Sequence, residues 1–106
     1  MPKYLIQGSY SDQGSKGLLE EGGSKRREAA EQSVKGLGGR LEAFYYAFGK
    51  HDFVVIADLP SNVDASALSL TANVSGTLKS RMTVLITPEE VDQAAKRTVN
   101  FRPPGK

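Results

Sequence analysis

The chain has 106 residues, 39% hydrophobic and 25% charged, which is room for one domain with a modest core. Its 14 Lys and Arg against 12 Asp and Glu leave a net charge of +2, too little for the basic stripe of a nucleic-acid interface. Having no cysteine and one histidine, it can form no disulfide, use no thiolate and build no multi-His metal site within one chain.

The N-terminal MPKYLIQGSY has one Lys and a very short apolar run, unlike a secretory signal. No stretch approaches the roughly 20 apolar residues of a membrane helix, so a cytoplasmic soluble protein with no membrane or nucleic-acid partner is the expectation. Residues 3–10 read as a first strand, with Tyr4, Ile6, Gly8 and Tyr10 on one face and Lys3, Leu5, Gln7 and Ser9 on the other. Gly8 marks a bulge or a close backbone approach.

Residues 11–38 read as helix, interrupted at Gly22-Gly23. Asp12 or Ser15 is placed to cap its start and Ser24 to restart it, with Leu18 and Leu19 as apolar anchors of the first part. Ala29, Ala30, Ser33, Val34 and Leu37 form the apolar stripe of the second part, which stops at Gly38-Gly39.

Residues 40–59 are the centre of the pattern. Two runs rich in Phe, Tyr, Val and Ile flank a turn at Gly49-Lys50-His51-Asp52, a β-hairpin signature. One face carries Phe44, Tyr46, Phe48, Phe53, Val55 and Ala57, and the other Leu41, Ala43, Tyr45, Val54 and Ile56. Pro60 ends the second run, and Asp58 just before it is placed to pair with Lys79 or Arg81 or to face water.

A second helix is expected over residues 60–76, capped by Ser61 with Asp64 three positions on, and with Val63, Ala67, Leu70 and Val74 at helical spacing. Residues 77–87 alternate as a fourth strand, with Leu78, Met82, Val84 and Ile86 on one face and Lys79, Arg81, Thr83 and Leu85 on the other. Thr87-Pro88-Glu89-Glu90 starts a third helix that runs to about Arg97. The tail, residues 100–106, is expected to be extended along the surface or over a neighbour, outside the single domain of residues 1–99.

The order strand, helix, strand, strand, helix, strand, helix is an α+β, ferredoxin-like βαββαβ pattern with an additional C-terminal helix and an antiparallel four-stranded sheet. Such a sheet carries helices on one side only, yet the hairpin is apolar on both faces. A second copy packed on the bare face would bury it, so a homodimer or higher homo-oligomer is expected. On that face Gln7 and Ser9, and Arg81 and Thr83, stand beside the aromatic inner strands. They line either a small-molecule cleft or the polar rim of an interface.

The segments MPKYLIQGSYSDQGSKGLL, KRREAAEQSVKGLGGRLEAFYYAFGKHDFVVIADLP and TVLITPEEVDQAAKRTVNFRPPG together resemble the GYD-domain family over essentially the whole chain. The resemblance rests on this combination and on no single short motif. At the family's Gly-Tyr-Asp corner this chain keeps Gly49 and Asp52, while His51 stands where Tyr is typical. The resemblance implies a ferredoxin-like fold of the dimeric α/β-barrel type and implies no reaction, the family being functionally uncharacterised.

His51 is the one side chain with an ordinary pKa near neutrality, and so the acid–base candidate; its alternative is a solvated turn residue. Asp52 suits the corner, hydrogen-bonding backbone amides. Tyr45 or Tyr46 could orient a ligand in an apolar cleft, and Arg81 could hold a carboxylate or phosphate or form a rim ion pair. Lys25-Arg26-Arg27 is a basic cluster without P-loop spacing. The ligand-binding candidates are therefore Gln7, Ser9, Tyr45, His51, Asp52, Arg81 and Thr83, with no cofactor or metal expected. The expected function is a small-molecule-binding or regulatory oligomeric α/β-barrel module. The alternative is a small cofactor-independent enzyme, an isomerase or monooxygenase, using His51 or a cleft Tyr with Arg81.

Overall fold

Period-two alternation in four segments builds one sheet. The computed structural model describes residues 1–106 and places strands β1 (Lys3–Tyr10), β2 (Arg40–Tyr46), β3 (Phe53–Asp58) and β4 (Leu78–Leu85) in the order β2-β3-β1-β4, each pair antiparallel. Helices α1 (Asp12–Glu21) and α2 (Gly23–Gly36) join β1 to β2, α3 (Asn62–Val74) joins β3 to β4, and α4 (Pro88–Ala95) follows. This is the ferredoxin-like arrangement with a divided first connection and an extra C-terminal helix. No helix is long and apolar enough to cross a membrane.

Both main helices lie on one sheet face, α2 over β2 and α3 over β4. They cover Tyr4, Ile6, Phe53, Val55 and Ala57, which form the core with Val34, Leu59 and Ala65. Gly8 on β1 is a close-approach site: a Cβ there would stand 2.2 Å from the Lys79 carbonyl oxygen and 2.6 Å from Phe53 Cζ.

The other face is open. Its rows follow from the register: Arg40, Asp58, Lys3 and Leu85; then Ala43, Ile56, Leu5 and Thr83; then Tyr45, Val54, Gln7 and Arg81. Leu41 does not belong there. A bulge between Leu41 and Ala43 inserts one residue, Glu42, so Leu41 turns to the helix side opposite Ala57. Phe48 also leaves its expected face. β2 stops at Tyr46, the corner runs over residues 47–52, and Phe48 stands in water.

The helix between β1 and β2 breaks at Gly22, whose φ of 89° lies in the region open to glycine and strained for other residues. Ser11, not Asp12 or Ser15, caps α1 by accepting from the Gly14 amide (3.2 Å), and α2 restarts at Gly23, one residue before Ser24. Leu18 is partly covered, whereas Leu19 is exposed, since α1 has no second layer to pack against on that side.

α3 turns its expected apolar stripe outward: Val63, Leu70 and Val74 are exposed, and Ala65 is buried with Leu68 packed beside it. Polar pins set this phase. The Tyr4 hydroxyl donates to Asn62 Oδ1 at 2.6 Å, and Asn73 bonds Ser80 of β4. Small Ala65 between the pins allows close approach to the sheet. Val84 and Ile86 are likewise more exposed than their strand face suggested.

Thr87 and Glu90 form a complete capping box at the start of α4, with Glu90 N donating to Thr87 Oγ1 (3.1 Å) and Thr87 N to Glu90 Oε1 (2.9 Å). α4 ends at Ala95, and every residue from Ile86 to Lys106 is exposed. This arm stretches the molecule, whose radius of gyration is 16.9 Å against about 13 Å for a compact chain of this length.

Candidate functional site

The hairpin end of the open face is where polar side chains converge. Across β1 and β4, Gln7 lies opposite Arg81 and Ser9 opposite Lys79. The corner folds against them because Asp52 extends the β1–β3 ladder past its last pair. Its amide donates to the Gly8 carbonyl (2.7 Å), and its Oδ2 accepts from the Tyr10 amide (2.9 Å). Ser9 Oγ donates to the Lys50 carbonyl at 3.4 Å, which keeps Lys50 and His51 beside β1.

The result is a solvent-open groove of about 470 Å³ lined by Gln7, Gly8, Ser9, Lys50, His51, Asn73, Lys79, Ser80 and Arg81. Lys50, Lys79 and Arg81 have no carboxylate within ion-pair distance. Asp52, the acid nearest in sequence, is committed to the Tyr10 amide. The groove thus offers unpaired cations, an imidazole and the Gln7 amide, a donor set suited to an anionic group.

Of the sequence candidates, Gln7, Ser9, His51 and Arg81 meet in this groove. Thr83 lies one row nearer the middle of the sheet, opposite Leu5. Tyr45 lies across the sheet on β2, opposite Val54, with 69% of its surface exposed. Asp52 shapes the corner and does not line the groove. Lys79 was recoverable from the same alternation that picks out Arg81. Lys50 and Asn73 had no such signal, because their places depend on the turn and on the phase of α3.

The opposite end of the open face is closed by charge. Lys3 Nζ bonds Asp58 Oδ1 (2.9 Å) and Glu42 Oε1 (3.1 Å), and Arg40 Nη2 bonds Asp58 Oδ2 (3.2 Å). Asp58 therefore pairs with Lys3 and Arg40, not with Lys79 or Arg81, which lie at the other end of β4. The hydrogen bond from Lys3, with that from Arg40, holds the Asp58 carboxyl below the usual carboxylate range. Between the two ends, Leu5, Ala43, Val54 and Ile56 remain partly exposed.

A second concavity lies on the helix side, where α2 and α3 diverge. It measures about 140 Å³ and is walled mainly by apolar residues, among them Ala30, Phe44, Phe53, Leu68, Ala72 and Met82. Arg26 and Tyr10 also line it. Burial pushes the Tyr10 phenol up to about 12, with Tyr46 beside it and Arg26 opposing the shift. The Tyr46 hydroxyl donates to the Gly23 carbonyl (3.0 Å), and Arg26 Nη1 meets Glu21 Oε2 at 3.5 Å. Sequence reading did not find this cavity; its only trace is the short side chains at Ala30 and Ala72.

Among known proteins, the GYD domain family model matches residues 4–95, from β1 to the end of α4. No curated protein matches the chain.

Proposed function

The chain belongs to the GYD-domain family, and we propose on that premise that it works as a small-molecule-binding module. In this reading it is a homo-oligomer that holds an organic anion on the open face of its sheet. The observation that carries it is the unpaired donor set of the groove, Arg81, Lys50, Lys79, His51 and Gln7, beside an uncovered apolar sheet centre. A ligand's acid group suits the donors and its apolar body suits Leu5 and Val54. A second copy laid on the same face would remove the apolar rows from water and roof the groove.

The enzymatic alternative, an isomerase or monooxygenase without cofactor, needs an oriented base. His51 shares the groove with Arg81, but no side chain or backbone group hydrogen-bonds its imidazole, and no nucleophile–base pair is formed. Binding without turnover therefore fits the geometry better.

Native mass spectrometry of the protein purified from its own host tests this reading. The expected result is an oligomer carrying one recurring small anionic adduct per chain, lost in Arg81→Ala while the fold is kept. An oligomer with no adduct, or an adduct indifferent to Arg81→Ala, would refute the reading. Turnover of the captured compound by the purified protein would replace it with the enzymatic one.

A further inference from the structure

We infer that the cavity between α2, α3 and the sheet is a second ligand site, separate from the open face and shaped for a compact aromatic carboxylic acid. Its volume of about 140 Å³ is the size of cavity that takes up a single aromatic ring, and its open side gives a ligand a way in. The two helices leave this space because they sit over opposite edges of the sheet and because Ala30 and Ala72 present one-carbon side chains where larger ones would close the gap.

The walls suit a flat ring. Phe53 and Phe44 offer aromatic surfaces held by neighbours: Phe53 packs on Tyr10 with centroids 5.2 Å apart, and Phe44 packs edge-on to Tyr46 at 5.1 Å. Met82 and Leu68 add adaptable apolar surface.

The polar groups point to an acid. Tyr10, opposite Leu78 in the register, and Arg26, in the first turns of α2, both line the cavity. The ion pair of Arg26 with Glu21 is long, 3.5 Å through a single nitrogen, which leaves the rest of the guanidinium fork free. The Tyr10 phenol, raised to about 12, stays protonated at neutral pH and is a donor. A carboxylate entering there gains Arg26 and a phenol while its ring fills the apolar chamber.

The test uses benzoate and the neutral analogue benzyl alcohol, added to the full chain and followed by amide chemical shifts. Benzoate is expected to shift the amides of Ala30, Val34, Phe53 and Ala72. Arg26→Gln should weaken benzoate about tenfold, the worth of one charge-assisted contact, and leave benzyl alcohol unchanged. Glu21→Gln, which frees the guanidinium, should tighten benzoate. Ala72→Leu should occlude both compounds. Absence of shifts at those amides at millimolar benzoate would overturn the inference, as would shifts confined to Lys79 and Arg81. Equal weakening of both compounds by Arg26→Gln would overturn the acid preference. The wild-type shift map decides the location even if Ala72→Leu fails to fold.

Discussion

Asn73 and Ser80 are joined by three hydrogen bonds. Asn73 Nδ2 donates to the Ser80 carbonyl (3.2 Å), while Ser80 N (2.7 Å) and Ser80 Oγ (3.1 Å) both donate to Asn73 Oδ1. The side-chain amide of α3 thereby does for the free edge of β4 what a further strand would do, satisfying one residue's backbone pair and blunting the edge. Asn73→Ala removes both halves and is expected to cost about 1–3 kcal/mol. Asn73→Asp, which keeps the acceptor and loses the donor, should fall between. Urea denaturation of the three proteins measures this.

Gly8 sits against the Lys79 and Ser80 backbone of β4 and the Phe53 ring, with no room for a Cβ. In Gly8→Ala the added carbon meets backbone, which cannot rotate away, so the strands must separate. The expected loss is about 1–3 kcal/mol, visible as a lower thermal midpoint. Because Gly8 also floors the polar groove, the same substitution should weaken any ligand held there.

Asp58 gives the fold an acid-sensitive lock. Lys3, then Arg40, hold its carboxyl below the ordinary value, so the folded state binds this proton less readily than the unfolded state. The stability it contributes is present above the ordinary carboxylate pKa and is lost as pH falls through the depressed folded value. Asp58→Asn should flatten that limb of the curve and cost about 1 kcal/mol at neutral pH, the pair being partly open to solvent. Urea midpoints taken from neutral pH down through the carboxylate range check both statements.

Tyr10 should act at the other extreme. Its phenol is raised to about 12 by burial, so its contribution is complete below the ordinary tyrosine value of 10.0 and is lost as pH climbs through the raised one. In the phenolate absorbance titration, Tyr10→Phe should lower the late-titrating amplitude by one phenol, with the Tyr46 phenol, also raised by burial, still contributing to it. An unchanged late phase would place that proton elsewhere.

The sheet was legible because its residues alternate with the period of a strand and its turns carry Gly, Asp and Pro. Faces were less so. One inserted residue at Glu42 reverses Leu41, and alternation cannot announce a bulge. For α3 the apolar period named Val63, Leu70 and Val74, but Asn62 and Asn73 bind the sheet and turn the helix the other way. Inward polar residues defeat a reading that sends polar side chains to water. In the groove, Gln7 with Arg81 followed from strand order and alternation alone, whereas Lys50 entered only once the Asp52 corner was folded. The helix-side cavity comes from volume that is missing, and no pattern of residues present marks it.

The arm from Ile86 onward is exposed throughout, so the domain's own stability should not depend on it. Truncation after Thr87 is expected to leave the unfolding free energy within about 0.5 kcal/mol under conditions where the protein is monomeric. A larger loss in urea denaturation would mean that the arm packs on its own domain.

Light scattering on the wild type and on Ile56→Lys tests the central claim, that a second copy covers the open sheet face. Ile56 lies mid-face opposite Leu5, where a lysine is tolerated in water and not between two packed sheets. We expect the wild type at micromolar concentration to weigh at least twice the 11.4 kDa of one chain, and Ile56→Lys to weigh one chain with an unchanged circular dichroism spectrum. A wild type of one-chain mass, or a folded Ile56→Lys that stays oligomeric, would contradict it.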